Sequence, residues 1–137
     1  MTLWYPTLDT ARRICNRFGL HIRDAGALAS ALARPSQVVW GAEAYVGIHL
    51  KAAALLDAIN RSHPLHDGNE RLSWVLVASF HEVNGYSLVV EPHEGDAFIR
   101  DVGGDEHLDL EQVGAWLAAH AVGHRDPDDD RGAGQVG

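Results

Sequence analysis

His63-Pro64-Leu65-His66-Asp67-Gly68-Asn69-Glu70-Arg71 gathers an imidazole, a carboxylate, a flexible glycine, an amide and a guanidinium into nine residues. Apolar segments of helical spacing flank it. On the right, Leu72, Val75, Leu76, Phe80 and Val83 recur at helical intervals, so the stretch from Asn69 to Asn84 reads as a helix that begins where the loop ends. On the left, residues 42–62 carry Ile48, Ala52, Leu55 and Ile59 on one stripe and Val46, Leu50, Ala53 and Leu56 beside it. A helix apolar on more than one face is surrounded by others. It would deliver His63 to the centre of the fold, where Pro64 stops it.

The loop's chemistry follows from that placement. A helix N-terminus presents free backbone N–H groups and the positive end of the macrodipole, which together favour phosphate. Gly68 has no Cβ to keep an anion away from the backbone. Asn69 can donate through its amide, and Arg71 offers a permanent cationic fork. Asp67 is a hard oxygen ligand suited to Mg²⁺ shared with substrate phosphates. His63, at the other end of the loop, is a candidate general base. Together these groups point to transfer from a nucleotide to a hydroxyl. Arg61, two residues before His63, is a further candidate for contact with the nucleotide.

Working outward, Thr7 and Asp9 open an amphipathic helix with Leu8, Ala11, Ile14, Cys15 and Phe18, stopped at Gly19. Asp24 caps a short Ala-rich helix with Leu28, Ala31 and Leu32, closed by Arg34-Pro35. Val38-Val39-Trp40 is β-prone and bounded by turn residues, a loop or short hairpin; alternatively it is a plain connection with Trp40 plugging the core. Asn84-Gly85 ends the helix after the loop, and Tyr86 to Val90 is an extended piece too isolated to count as a sheet. A helix is expected from about Pro92 to Val102. Asp109 with Gln112 forms a capping-box variant that opens a last helix carrying Leu110, Val113, Trp116 and Leu117. The expectation is an all-α bundle of about six helices with one short flap, a domain over residues 1–124 and a disordered acidic, Gly-rich tail over 125–137.

The motif resembles the signature of the Fic/Doc family, His-x-Phe-x-(Asp or Glu)-(Gly or Ala)-Asn-x-Arg. Arg23-Asp24, Ser30-Ala31-Leu32-Ala33-Arg34-Pro35 and Asn84-Gly85-Tyr86 are similar to markers of its Doc ("death on curing") branch, and the likeness runs over roughly residues 4 to 120. The resemblance implies a compact Fic/Doc-type helical bundle in which His63 deprotonates a target hydroxyl. Asp67 would position that hydroxyl and bind Mg²⁺, the turn Gly68-Asn69-Glu70-Arg71 would hold the phosphates of ATP, and Val38, Val39 and Trp40 would form a flap that places the target peptide.

Typical Fic enzymes transfer AMP. Doc binds the nucleotide reversed and transfers the γ-phosphoryl group, with elongation factor Tu as its target, and is held in check by a Phd-like antitoxin. A second arginine three residues after the first is typical of Fic; Trp74 stands there, which resembles Doc. Glu70 occupies a slot that is lysine in Doc, and Leu65 replaces the usual phenylalanine. Glu70 therefore keeps open a third reading, a family member with weakened catalysis that acts by binding. No Ser/Thr-x-x-x-Glu/Asp-Gly-x-Asn inhibitory run is present, so inhibition would come from a partner.

Other features bound the answer. At 137 residues, 46% hydrophobic, the chain suits one domain with a real core. The formal charge of −8 disfavours nonspecific nucleic-acid binding. No signal peptide or membrane span is evident, which leads to a cytoplasmic expectation. Cys15 reads as a buried structural thiol. Of nine histidines, His21, His93, His107 and His124 fall in turns or ends, and His49, His81 and His120 lie on helices without a partner at ligand spacing. His66-Asp67 with His63 raises a metal phosphohydrolase of the HD type, for which His49 and Asp57 are possible further ligands. That reading leaves Gly68, Asn69 and Arg71 unexplained.

Overall fold

The computed structural model describes residues 2–104 and 108–124. The expected tail over 125–137, and His107, lie outside those residues. Among the described residues six helices form the body: α1 (Leu8–Phe18), α2 (Ala25–Ala33), α3 (Ile48–Ser62), α4 (Asn69–Val83), α5 (Pro92–Gly103) and α6 (Leu110–His120). A 3-10 turn, Arg34–Ser36, follows α2. Four strands of two or three residues make two small antiparallel ribbons, β1 (Val38–Val39) with β2 (Ala42–Glu43), and β3 (Tyr86–Leu88) with β4 (Ala121–Gly123). The all-α reading with six helices and a short hairpin holds.

The caps set the helices where the residues predict them. Thr7 accepts from the Thr10 backbone while Thr10 reaches back to Thr7, Asp24 accepts from Ala27 N, and Asp109 and Gln112 close a reciprocal capping box. Helix α3 is the axis of the bundle. Ala52 to Leu56 and Ile59 are all fully buried, because α2, α4, α5 and α6 pack around them. Gly114 on α6 lies so close to α3 that a Cβ there would sit 3.5 Å from both His49 O and Leu50 Cα, an approach that a larger side chain would push apart.

Three expectations need correction. Helix α3 begins at Ile48, not near residue 42, because Ala42 and Glu43 pair with Val39 and Val38 and Gly47, at φ +89°, re-aims the chain before the first turn. Tyr86–Leu88 is paired, not isolated; its partner β4 arrives after α6, and Leu88 lies opposite Ala121. Trp40 does not plug the core but is fully exposed at the hairpin tip, where it and Gly41 take φ of +53° and +79°. Two positive φ angles in a two-residue turn match the right-handed twist of a tight hairpin. No helix among the described residues is long and apolar enough to cross a membrane.

Candidate active site

The nine-residue motif lies between the C-terminus of α3 and the N-terminus of α4. His63 is the C-cap of α3 in the left-handed region (φ +48°), with its N–H on Ile59 O at 3.2 Å. A branched-free but non-glycine residue there carries roughly 1–2 kcal/mol of backbone strain. Two contacts hold the bend. The Arg23 guanidinium donates to His63 O and to Ser62 O, and Arg23 N and Asp24 N both donate to Pro64 O, at 2.8 and 3.0 Å. The next residues continue the clamp, with a bridge between Ile22 and Leu65 and a bond from His66 N to His21 O at 3.0 Å. The link between α1 and α2 thus lies beside the motif loop as a partial strand, a role that Arg23 showed in the sequence only as a family marker.

Asn69 closes the loop from the other side. Its Oδ1 accepts from Leu65 N at 2.9 Å and its Nδ2 donates to Leu65 O at 3.2 Å. One hydrogen of the amide expected to donate to phosphate is thus engaged in shaping the loop, and the second Nδ2 hydrogen remains. Backbone donors add to it: the N-cap of α4 is Gly68 (φ +83°) with no side-chain cap, so the N–H groups of the helix's first turn remain available. Asp67 is exposed, and its Oδ1 takes the Gly68 N–H at 2.9 Å. A side chain at 68 would have to push Leu20 aside, since a Cβ would lie 2.6 Å from its Cδ2.

These groups line a pocket of about 550 Å³ that brings together His63, Asp67, Gly68, Asn69, Glu70 and Arg71, with His66, Asn60 and, from α5, Gly103. Its neighbour, a groove of about 610 Å³ between α4 and α5, shares Glu70 and Arg71 as a common wall and includes Trp74. The Arg71 guanidinium lies over the Phe18 ring, 4.8 Å from its centroid, a cation–π seat that orients the fork without neutralising it. The Glu70 carboxylate reaches toward Gly103.

Arg61 is not brought into this pocket. Its Nε donates to Asp57 Oδ1 at 2.6 Å, while Asp57 Oδ2 accepts from Arg34 Nη1 at 2.7 Å. Arg34 also donates from Nε to the Tyr45 hydroxyl at 2.9 Å. Burial works against the Arg34 charge, but the Asp57 and Tyr45 bonds more than offset it and hold the guanidinium above its ordinary value. Lys51, only 2% exposed, donates to Tyr45 O at 2.7 Å and pairs with Glu43 of β2 at 3.1 Å. The hairpin of β1 and β2 is thus tied to α3 at its base while Val38, Val39 and Trp40 stay exposed.

The two further ligands nominated for the metal-phosphohydrolase alternative are engaged with other side chains. Asp57 is taken by two arginines and His49 by His81, 3.0 Å away. Among the described residues no three His, Cys, Asp or Glu side chains are grouped to hold an ion. His49 and His81, without a partner at ligand spacing in the sequence, are 32 positions apart and meet because α3 packs on α4. Cys15 is buried, and burial pushes its thiol pKa up, as fits an inert structural residue.

The model of the Fic/DOC family matches residues 7–81. The curated protein "Toxin Doc" of Mycolicibacterium smegmatis is 36% identical over 105 residues, spanning 75% of this chain and 80% of that relative.

Proposed function

This chain belongs to the Fic/Doc family, and from that premise we propose that it is the cytoplasmic toxin of a toxin–antitoxin pair that transfers the γ-phosphoryl group of ATP to a protein hydroxyl. The observation that carries the transfer is the meeting, in one pocket, of the His63 imidazole with the uncapped N-terminus of α4 and the Arg71 fork. Members of the family are nucleotide-dependent transferases, and the relative's name supplies the toxin role.

His63 takes the proton of the incoming hydroxyl, placed by the strained cap and by Arg23. The backbone donors at Asn69 to Arg71 and the Arg71 charge receive the phosphate oxygens, a preorganised arrangement that costs no reorientation during transfer. Asp67 fits a divalent cation, because it is exposed and only its Oδ1 is engaged, by the Gly68 N–H. Mg²⁺, when bound, would neutralise phosphate charge. Glu70 makes that neutralisation necessary, since its carboxylate shares the pocket with the phosphates.

Trp74 favours phosphoryl over AMP transfer, as it puts an indole where AMP-transferring relatives place a second phosphate-binding arginine. The exposed hairpin at Val38 to Trp40 presents the target segment, for which a translation factor of the elongation factor Tu type is the proposed source. A Phd-like antitoxin is the proposed inhibitor, its C-terminal segment folding as it docks.

The test is intact-mass spectrometry of a bacterial translation extract incubated with the protein and Mg-ATP. A target that gains one phosphoryl group, with transfer lowered by about 10²–10⁴ in His63→Ala, supports the reading. A gain of one AMP overturns the choice of phosphorus. If no adduct forms with wild type but one forms with Glu70→Lys, the natural chain acts by binding instead.

A further inference from the structure

Asn60 lies one turn before His63 on α3, is only 5% exposed, and has no part in the reaction described so far. Its amide has a determined orientation. Nδ2 donates to Leu56 O at 2.9 Å and to Ser73 Oγ at 2.9 Å, while Ser73 Oγ donates onward to Glu70 O at 2.7 Å. A carbonyl oxygen only accepts, so the atom facing Leu56 O must be the nitrogen. Oδ1 is then the remaining atom, and no described group donates to it.

That oxygen is not entombed. Among the described residues every enclosed side-chain nitrogen and oxygen has a hydrogen-bond partner, so an unbonded Oδ1 must be reached from outside. The opening beside Asn60 is the active-site pocket. A lone pair there is a poor neighbour for a bare phosphate, which offers only further lone pairs. It suits a ligand that presents hydrogens, and Asp67 and Glu70 on the same pocket favour one that is also cationic. A hydrated divalent cation has both properties, because Mg²⁺ retains several of its waters when bound through one or two carboxylates and substrate phosphates.

We propose that Asn60 is a positioning residue for the cation, its Oδ1 accepting a hydrogen from water bound to the divalent ion that accompanies the nucleotide at Asp67. The inference rests on the nucleotide-transfer reading above. The bond to Leu56 O suffices by itself to turn the amide so that oxygen, not nitrogen, faces the pocket; the Ser73 strut reinforces that orientation and joins α3 to α4.

Mn²⁺ binding to the full chain, read from the electron paramagnetic resonance of the free ion in the presence of a non-hydrolysable ATP analogue, tests this directly. Asn60→Ala is expected to weaken Mn²⁺ binding about tenfold, the usual cost of losing an outer-shell partner. Ser73→Ala removes the strut but leaves Oδ1 and should bind as wild type does, even if its thermal midpoint falls. Undiminished binding by Asn60→Ala, or a tenfold loss in Ser73→Ala, overturns the proposal. So does a rise in the KM for the protein target with no change in Mn²⁺ affinity, which would assign Oδ1 to the target hydroxyl. In these cases wild-type binding of Mn²⁺ with the analogue leaves the transfer reading standing, whereas no binding by wild type removes both.

Discussion

Taking the protein from pH 7.5 to 5.5 is expected to destabilise it through the His49–His81 pair. His81 is fully buried, and its Nδ1 lies 2.9 Å from Val77 O. Since that oxygen only accepts, Nδ1 carries the hydrogen, and Nε2 is left as the acceptor for His49 Nδ1 at 3.0 Å. A proton added at His81 Nε2 would face the His49 N–H and break the bond. Burial lowers both pKa values; for His81 the Val77 bond opposes that shift and the neighbouring His49 charge adds to it. The sign follows from proton counting. With folded pKa values depressed below the unfolded value of about 6.5, the unfolded chain takes up protons that the folded chain refuses, so stability is fully present above that value and is lost as pH falls through it. A histidine that stays neutral in the fold costs at most about 1.4 kcal/mol over this interval. His81, fully buried, supplies the larger share; His49, which solvent partly reaches, adds less, so the pair together stays under about 2.7 kcal/mol. Urea unfolding followed by tryptophan fluorescence at the two pH values measures it, with His81→Leu expected to lose most of the pH dependence. Equal wild-type stability at both pH values, or an undiminished dependence in His81→Leu, would refute the argument.

Gly68→Ala must place a Cβ 2.6 Å from Leu20 Cδ2 at a φ of +83°; about 1–2 kcal/mol of stability should be lost and ATP binding weakened, by thermal scanning and nucleotide titration. Asp57→Ala leaves two guanidinium groups without their shared carboxylate. Because both arginines are partly exposed, the loss in urea unfolding should be about 1–3 kcal/mol, below the range for fully enclosed pairs. Trp40→Ser should change stability by less than about 0.5 kcal/mol, since the ring touches nothing in the fold, while raising the KM for the protein target. A large loss of folding stability in that variant would mean the hairpin is part of the core.

Helix positions were legible because their signals are local. Thr7, Asp24 and the Asp109–Gln112 pair bond within one turn, and the capping chemistry they predict is the chemistry found. The start of α3 was not, because Val46 extends the apolar stripe backwards into residues whose backbone is committed to the hairpin; only the Gly47 conformation separates the two. The β3–β4 ribbon joins Tyr86–Leu88 to a segment beyond two intervening helices, and no feature of either half announces the other. His49 and His81 were set aside for the same reason, being partners through helix packing and not through spacing.

The candidate site divides along the same line. Its reactive groups fall in one loop, so their order alone pointed to the chemistry. What aims them comes from elsewhere in the chain: Arg23 on His63 O, Leu20 against Gly68, Gly103 beside Glu70, and Ser73 on Asn60. Residue type told what Asn69 and Arg61 can bond, but not with whom, and both turned out to hold protein, Asn69 on the Leu65 backbone and Arg61 on Asp57. Asn60 is the converse, a residue that the helical pattern files as core. Its nitrogen satisfies that reading, and only the direction its Ser73 and Leu56 partners force on the amide turns its oxygen toward the pocket. Sequence therefore offers the candidate reacting groups in a contiguous motif, whereas the groups that orient them become visible only once each polar atom's partner is known.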